Sequence, residues 1–420
     1  MRTKLVFVGI FGLLLFLSLN RHSKHPQFTY HSTLFCDKAG YHVYLPLAFY
    51  YDFKASNFPE DIRERTGRGF KLDSANDHII TKYPIGVAVM HSPFFALGAF
   101  IDRMSGVQQD LGYTLVQHRM VNISSVFYAS LGLYLLFCAL RRRFDTRNTV
   151  LTLLLIVLCS NLYYYITRDV GLSHAYSFFA FSALVFLLEK LNANPLAKQL
   201  VWLVFVAGII IAIRPVNLVF LGMVGMIYWD KLKSLSVNRP NVKAALIGLA
   251  LLLPIFIAQF AYYRYAFDAA VSYSYKGEGF TFLTNPQVLR VWFAPENGLF
   301  LYSPVFFLIL YGIYKQFKLN RFKGSMYLGL FLVVTMVYAT WWSPGLGCGY
   351  GHRGFIEHLP VFSLPLALVI DKAQWSSRWS TKLISILFIA FAIYAFYYQF
   401  TYDGCWHGDG AWDWRQLIND

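Results

Sequence analysis

Thr33-Leu34-Phe35-Cys36-Asp37-Lys38-Ala39-Gly40-Tyr41 places an acid a few residues beyond the first hydrophobic span of this chain. The segment lies within a mostly polar stretch, 20–118, that separates that span from a long run of others. Helix–helix connections are usually short. A loop this large implies that the protein does something there, and the acid implies chemistry.

The 420 residues are 57% hydrophobic and only 14% charged, with a mean hydropathy of +0.45. A soluble domain is about 25% charged, so the composition specifies an all-α polytopic membrane protein. Apolar windows near bilayer length predict about eleven transmembrane helices, at 5–19, 119–140, 149–166, 173–189, 199–213, 215–229, 244–265, 299–314, 324–342, 355–370 and 383–400. The first reads as an uncleaved anchor, because Ser18-Leu19-Asn20-Arg21-His22 offers no small-x-small cleavage site.

The net charge of +15 is unevenly placed. Arg2 and Lys4 with the loops 141–147, 189–198, 230–243, 315–323 and 371–382 hold 19 of the 37 Lys and Arg but 4 of the 22 Asp and Glu. The rest of the chain is neutral. Positive charge is therefore a topology signal: these loops and the N-terminus are cytoplasmic, the C-terminus is outside, and nucleic acid is not a partner. The predicted organisation is a single membrane domain, 1–420, presenting three segments outside: a first loop at 20–118, a second at 266–298 and a tail at 401–420.

Residues 83–104 are apolar enough to span, yet a crossing there would invert every later basic loop. They are read instead as a helix lying on the outer leaflet or re-entering it, which Pro84, His91 and Pro93 suit. A second surface helix is predicted at 41–53, where Tyr41, Tyr44, Leu45, Leu47, Ala48 and Tyr51 recur at helical spacing. Of five cysteines, Cys138 and Cys159 fall in spans. One bridge among Cys36, Cys348 and Cys405 can form, and spacing does not choose it.

Asp37 is the candidate catalytic group. Beside aromatic residues its pKa can rise enough for a general base acting on a hydroxyl; the plainer reading is an interfacial acid beside Lys38. Lys82 precedes a predicted surface helix and suits a phosphate, or simply snorkels. Asp77 and His78 nearby are binding candidates or solvated. Asp169 and His174 flank the outer end of a span, where Arg168 can pair with Asp169. Arg214 lines a site or holds a tight hairpin. Glu278, in Lys276-Gly277-Glu278-Gly279, belongs to the second outer loop. Between 345 and 354 five glycines allow close approach to a ligand, and His352 and Arg353 can grip a phosphate there. Glu357 follows within two turns, as part of a site or as a structural Arg–Glu pair. No metal-ligand spacing, nucleotide-binding glycine fingerprint or Ser–His–Asp signature is present, so neither a metal nor a nucleotide-sugar donor is expected.

These residues resemble the GT-C superfamily of membrane glycosyltransferases, in the branch of protein O-mannosyltransferases and aminoarabinose lipid A transferases. The resemblance rests on Asp37 after the first span, Tyr41–Pro46, Lys82-Tyr83-Pro84, and Arg353 followed by Leu359-Pro360-Val361-Phe362. It implies a GT-C-like fold with membrane-surface helices on the first external loop, and a donor sugar on a polyprenyl phosphate. Asp37 would activate an acceptor hydroxyl on a glycan, lipid or protein, with inversion at the sugar and no cofactor. Lys82 and Arg353 would hold the departing lipid phosphate, and Asp169 falls where some relatives have a second acid. Relatives often pair two acids where this chain has Asp37-Lys38. The implied location is the bacterial inner membrane, with the active face outside. A lipid-linked glycan ligase or polymerase would place essential Arg and His in a different late loop. A transporter would show repeated broken helices with charges near mid-membrane.

Overall fold

The computed structural model describes residues 2–193, 195–371 and 379–419. Parts of the basic loops 189–198 and 371–382 therefore lie outside the described residues. Every apolar stretch read from the sequence is helical in whole or in part. Five described helices are long and apolar enough to cross a bilayer: Thr3–His22, Leu115–Leu140, Arg239–Phe267, Arg321–Ala339 and the run Arg353–Asp371. Polar caps mark where several begin. Thr114, Asp145, Asn238 and Asn320 each accept a bond from the backbone N–H three residues on, which satisfies a donor that the first turn leaves open.

Two predicted spans are broken. The stretch 149–166 divides into Thr146–Leu158 and Leu162–Thr167, and 299–314 into Leu299–Tyr302 and Val305–Leu319. The breaks meet. The Val305 amide donates to the Cys159 carbonyl at 3.0 Å, the Asn161 amide donates to Ser303 Oγ at 3.1 Å, and the Asn161 side chain donates to the Tyr350 carbonyl at 3.1 Å. Freed backbone groups are thus paired internally, the condition for unwound chain within an apolar bundle. The same knot seats the Gly-rich segment after 341.

The first loop has its own core, with Leu34, Ala39, Val43, Leu47, Ile62, Ile79, Phe95 and Tyr113 buried together. Its opening helical run starts and ends four residues before the predicted 41–53 and is divided at Val43. It runs Asp37–His42 and Tyr44–Phe49, then stops where Asp52 and Phe53 take left-handed backbone angles. Tyr41, Tyr44, Leu45 and Leu47 are buried as the spacing implied, while Ala48 is exposed. A short antiparallel hairpin, Lys71–Asp73 with His78–Ile80, interrupts the otherwise helical fold.

The apolar segment 83–104 forms the helix Gly86–Met104. It packs on the first half of the Leu115–Leu140 helix, Phe94 meeting Phe127 at 5.5 Å and Gly98 lying against Gln117 and Met120. Its other face leaves Leu97, Phe100 and Met104 more than half exposed. A disulfide joins Cys348 to Cys405, leaving Cys36 free and exposed.

Candidate active site

Asp37 opens its helix from a strained corner, since Cys36 has φ of 49°. That corner is held by the neighbouring glycine loop: the Cys36 amide donates to the Thr66 carbonyl at 2.8 Å, and Gly69 lies so close to the Cys36 carbonyl that a Cβ there would collide. The strain aims the Asp37 carboxylate into an open cavity of about 410 Å³. Its side chain is 39% exposed.

Two donors meet this carboxylate. The Tyr83 hydroxyl donates to Oδ1, and Arg353 donates to Oδ2 at 3.3 Å. Arg353 is braced in turn by the Leu346 carbonyl at 2.8 Å, two residues before the disulfide-bonded Cys348. Burial pushes the Asp37 pKa up, but Arg353, the Tyr83 hydroxyl, Lys82 and Lys38 together outweigh it. The group is held below its ordinary value. This corrects the expectation of a raised pKa: the local cations, absent from any reading of neighbours in sequence, dominate.

Lys82 is ion-paired with Glu278 and sits 5.5 Å and 5.4 Å from the Tyr83 and Tyr275 ring centres. The second outer loop is thereby folded over the first. Lys38, one residue from Asp37, donates to Asp169 at 2.9 Å, so Asp169 pairs with Lys38 and not with Arg168. Tyr41 packs against Tyr83 with ring centres 4.4 Å apart.

A second polar cluster lies deeper. Glu357, fully buried, is paired with Arg214 and accepts from Asn217 at 3.2 Å, with His174 at 3.8 Å. Arg214 keeps 21% of its side chain exposed. A lone carboxylate at that depth would be prohibitively costly, and the Arg214 cation with the Asn217 amide explains its presence.

Three candidates belong elsewhere. Asp77 caps a turn by accepting from the Ser56 amide at 2.7 Å and its hydroxyl at 3.0 Å. His78 packs on Tyr265 at 4.2 Å. His352 is fully buried, with Nε2 at 3.0 Å from the Pro344 carbonyl and its ring against Tyr338 and Phe355. Burial lowers its pKa to about 3, so it is a neutral packing residue and not the phosphate cation expected. Sequence reasoning had passed over Tyr83 as a partner of Asp37, and over Arg63, Arg68 and Lys71, which line the cavity. The Lys82-Tyr83-Pro84 motif was a signal for the first; nothing local marked the others.

Comparison with solved structures finds the fold of the GT-C membrane glycosyltransferases. ArnT of Cupriavidus metallidurans in its apo state matches with a TM-score of 0.52 at 12% identity, over 92% of this chain and 63% of ArnT. The same protein bound to undecaprenyl phosphate gives 0.50 at 14% identity, with the same coverage of 92% and 63%. The Archaeoglobus fulgidus oligosaccharyltransferase, tethered to an acceptor peptide containing the NVT sequon, gives 0.50 at 15% identity, over 96% of this chain and 56% of its own. The chain thus spans less than two thirds of the length of these structures. No protein family and no curated protein matches the sequence.

Proposed function

We propose that this protein, an integral membrane protein with the GT-C fold, transfers a sugar from a polyprenyl phosphate to an acceptor hydroxyl on the outer face of the membrane, with inversion. The chain would cross eleven times, with its N-terminus and basic loops inside. The observation that carries the reading is an ionised, partly exposed Asp37 ringed by Arg353, Lys82 and the Tyr83 hydroxyl at the mouth of a cavity.

The chemistry follows from that ring. An acceptor oxygen attacks C1 of the sugar while the bond from C1 to the phosphate oxygen breaks. The hydroxyl proton passes to Asp37, and the polyprenyl phosphate leaves with the bonding pair. A carboxylate with a depressed pKa is a weak base but is fully ionised at neutral pH, which suits a proton transfer that comes late, as positive charge builds on the sugar. Lys82 and Arg353 would offset the charge that grows on the leaving phosphate, and Arg214 would supply a third cation deeper in. No cofactor enters this scheme. The likeness to ArnT, which has been captured with undecaprenyl phosphate, supports a lipid-phosphate donor.

Envelope glycans and accumulated lipid-linked sugars should be compared between a deletion strain and one carrying Asp37→Asn. The two are expected to match. Normal glycosylation with asparagine at 37 would remove Asp37 from the base role and sink the reading.

A further inference from the structure

The cavity in front of Asp37 carries charge that the protein does not neutralise. Its lining includes Arg63, Arg68, Lys71 and Lys82 against a single acid, Asp37. Asp37 and Lys82 have partners in Arg353 and Glu278. The other three cations come from the short helix Ile62–Arg65, the glycine loop after it and the first strand. This segment is registered to Asp37 through the Cys36 amide and thiol, the latter donating to the Gly67 carbonyl at 3.3 Å.

Neighbouring Arg65 shows what a structural arginine looks like here. It grips Asp110 with two bonds of 2.8 Å and lies over the Phe28 ring at 4.1 Å. Arg63 is different: its Nε is buried with no hydrogen-bond partner, and among the described residues its side chain makes no ion pair. Lys71 likewise makes none, and Arg68 has only an exposed contact with Glu64 at 3.5 Å. A buried guanidinium nitrogen without an acceptor costs stability unless a ligand supplies one. Phe70, Ile80 and Tyr83 add apolar wall on which a sugar face can rest.

We propose that this cavity is the acceptor subsite and that the acceptor is anionic, a hydroxylated sugar bearing a phosphate or carboxylate that Arg63, Lys71 and Arg68 receive while its free hydroxyl faces Asp37. The inference rests on the transferase reading. It adds the charge class of the acceptor and separates two anion seats: Lys82 and Arg353 for the leaving phosphate, Arg63 and Lys71 for the acceptor.

Cys36 lines the cavity, is free and is exposed, so it serves as the reporter. In the purified full chain, alkylation of Cys36 by a small neutral maleimide is timed with glucose 6-phosphate, glucuronate or glucose present at equal ionic strength. Slowing by either anionic sugar but not by glucose is expected, and whichever protects at lower concentration identifies the anion as phosphate or carboxylate. The protecting concentration should rise about tenfold in Arg63→Gln and recover in Arg63→Lys, as for one charge-assisted hydrogen bond. Lys71→Gln gives a second variant should Arg63→Gln fail to fold. Equal protection by glucose, or unchanged protection in both glutamine variants, overturns the proposal. So does competition between undecaprenyl phosphate and the anionic sugar, which would make the cavity the donor seat. Asp37→Asn should keep the protection while losing transfer, so failure of the transferase reading and failure of the anionic subsite are read separately.

Discussion

Lys38 and Asp169, 131 residues apart in sequence, meet at 2.9 Å and tie the first turn of the Asp37–His42 helix to the chain that follows Leu162–Thr167. Lys38 is 7% exposed and Asp169 20%, so neither charge is well hydrated without the other. The pair anchors the residue next to Asp37, although neither of its members lines the cavity. Lys38→Met alone should cost about 2–3 kcal/mol by leaving Asp169 partly buried and unpaired, while Lys38→Met with Asp169→Leu should cost much less. Thermal unfolding in detergent for the two singles and the double measures this. Additive losses would mean the pair is not coupled.

Tyr83→Phe removes one donor to the Asp37 carboxylate and leaves the aromatic wall in place. Burial and the Asp37 charge push the Tyr83 pKa well up, so the native hydroxyl is always a donor. Its loss should raise the Asp37 pKa and change the transfer rate by up to about tenfold, the scale of one hydrogen bond to a charged group. The check is the acid limb of the rate profile, which should move to higher pH in the variant.

That acid limb has a definite sign in the native protein. Asp37 lies below its usual 3.8, so it is ionised throughout the neutral range and transfer should not fall through its protonation between pH 8 and 5. The stability it contributes is present above the unfolded carboxylate pKa and is lost as pH drops through the lower folded value. The difference in unfolding temperature between native protein and Asp37→Asn should be flat above about pH 5 and change only below it. A change centred near pH 6 would contradict the cation-ringed carboxylate.

The Cys348–Cys405 bridge closes 57 residues and holds the loop whose Leu346 and Cys348 carbonyls receive Arg353. Reduction, or Cys348→Ser with Cys405→Ser, should cost about 4 kcal/mol on the loop-entropy estimate. It should also weaken the use of a polyprenyl-phosphate donor by loosening Arg353. The measurement is donor concentration dependence with and without reductant, read at a temperature where both forms stay folded.

Topology has its own test. Asp145→Cys should react with a membrane-impermeant maleimide only after permeabilisation, whereas native Cys36 should react from outside. Labelling at 145 in intact cells would invert the orientation and place the cavity on the wrong face.

Much of the framework was legible because a bilayer asks little of a sequence: an apolar run of sufficient length must be helical, since nothing else satisfies its backbone. Asp37, Lys82 and Arg353 could be named because they stand at the ends of such runs, in short recognisable motifs, and the structure brings all three to one place. The partners of those groups could not be named. Glu278 for Lys82, Asp169 for Lys38 and Glu357 for Arg214 are each chosen across more than 130 residues. His352 and Arg353 are adjacent and look alike on paper, yet one is buried neutral against Tyr338 and the other reaches Asp37.

Hydropathy and charge placement alone thus dictated a helical membrane protein with a large first loop, because burial of apolar length and the siting of basic loops act along the chain. The bend at Cys36 that turns Asp37 outward, the low pKa of that acid and the unpaired Arg63 beside it were decided by the packed loop, because electrostatics falls off with distance in space and takes no account of distance along the chain.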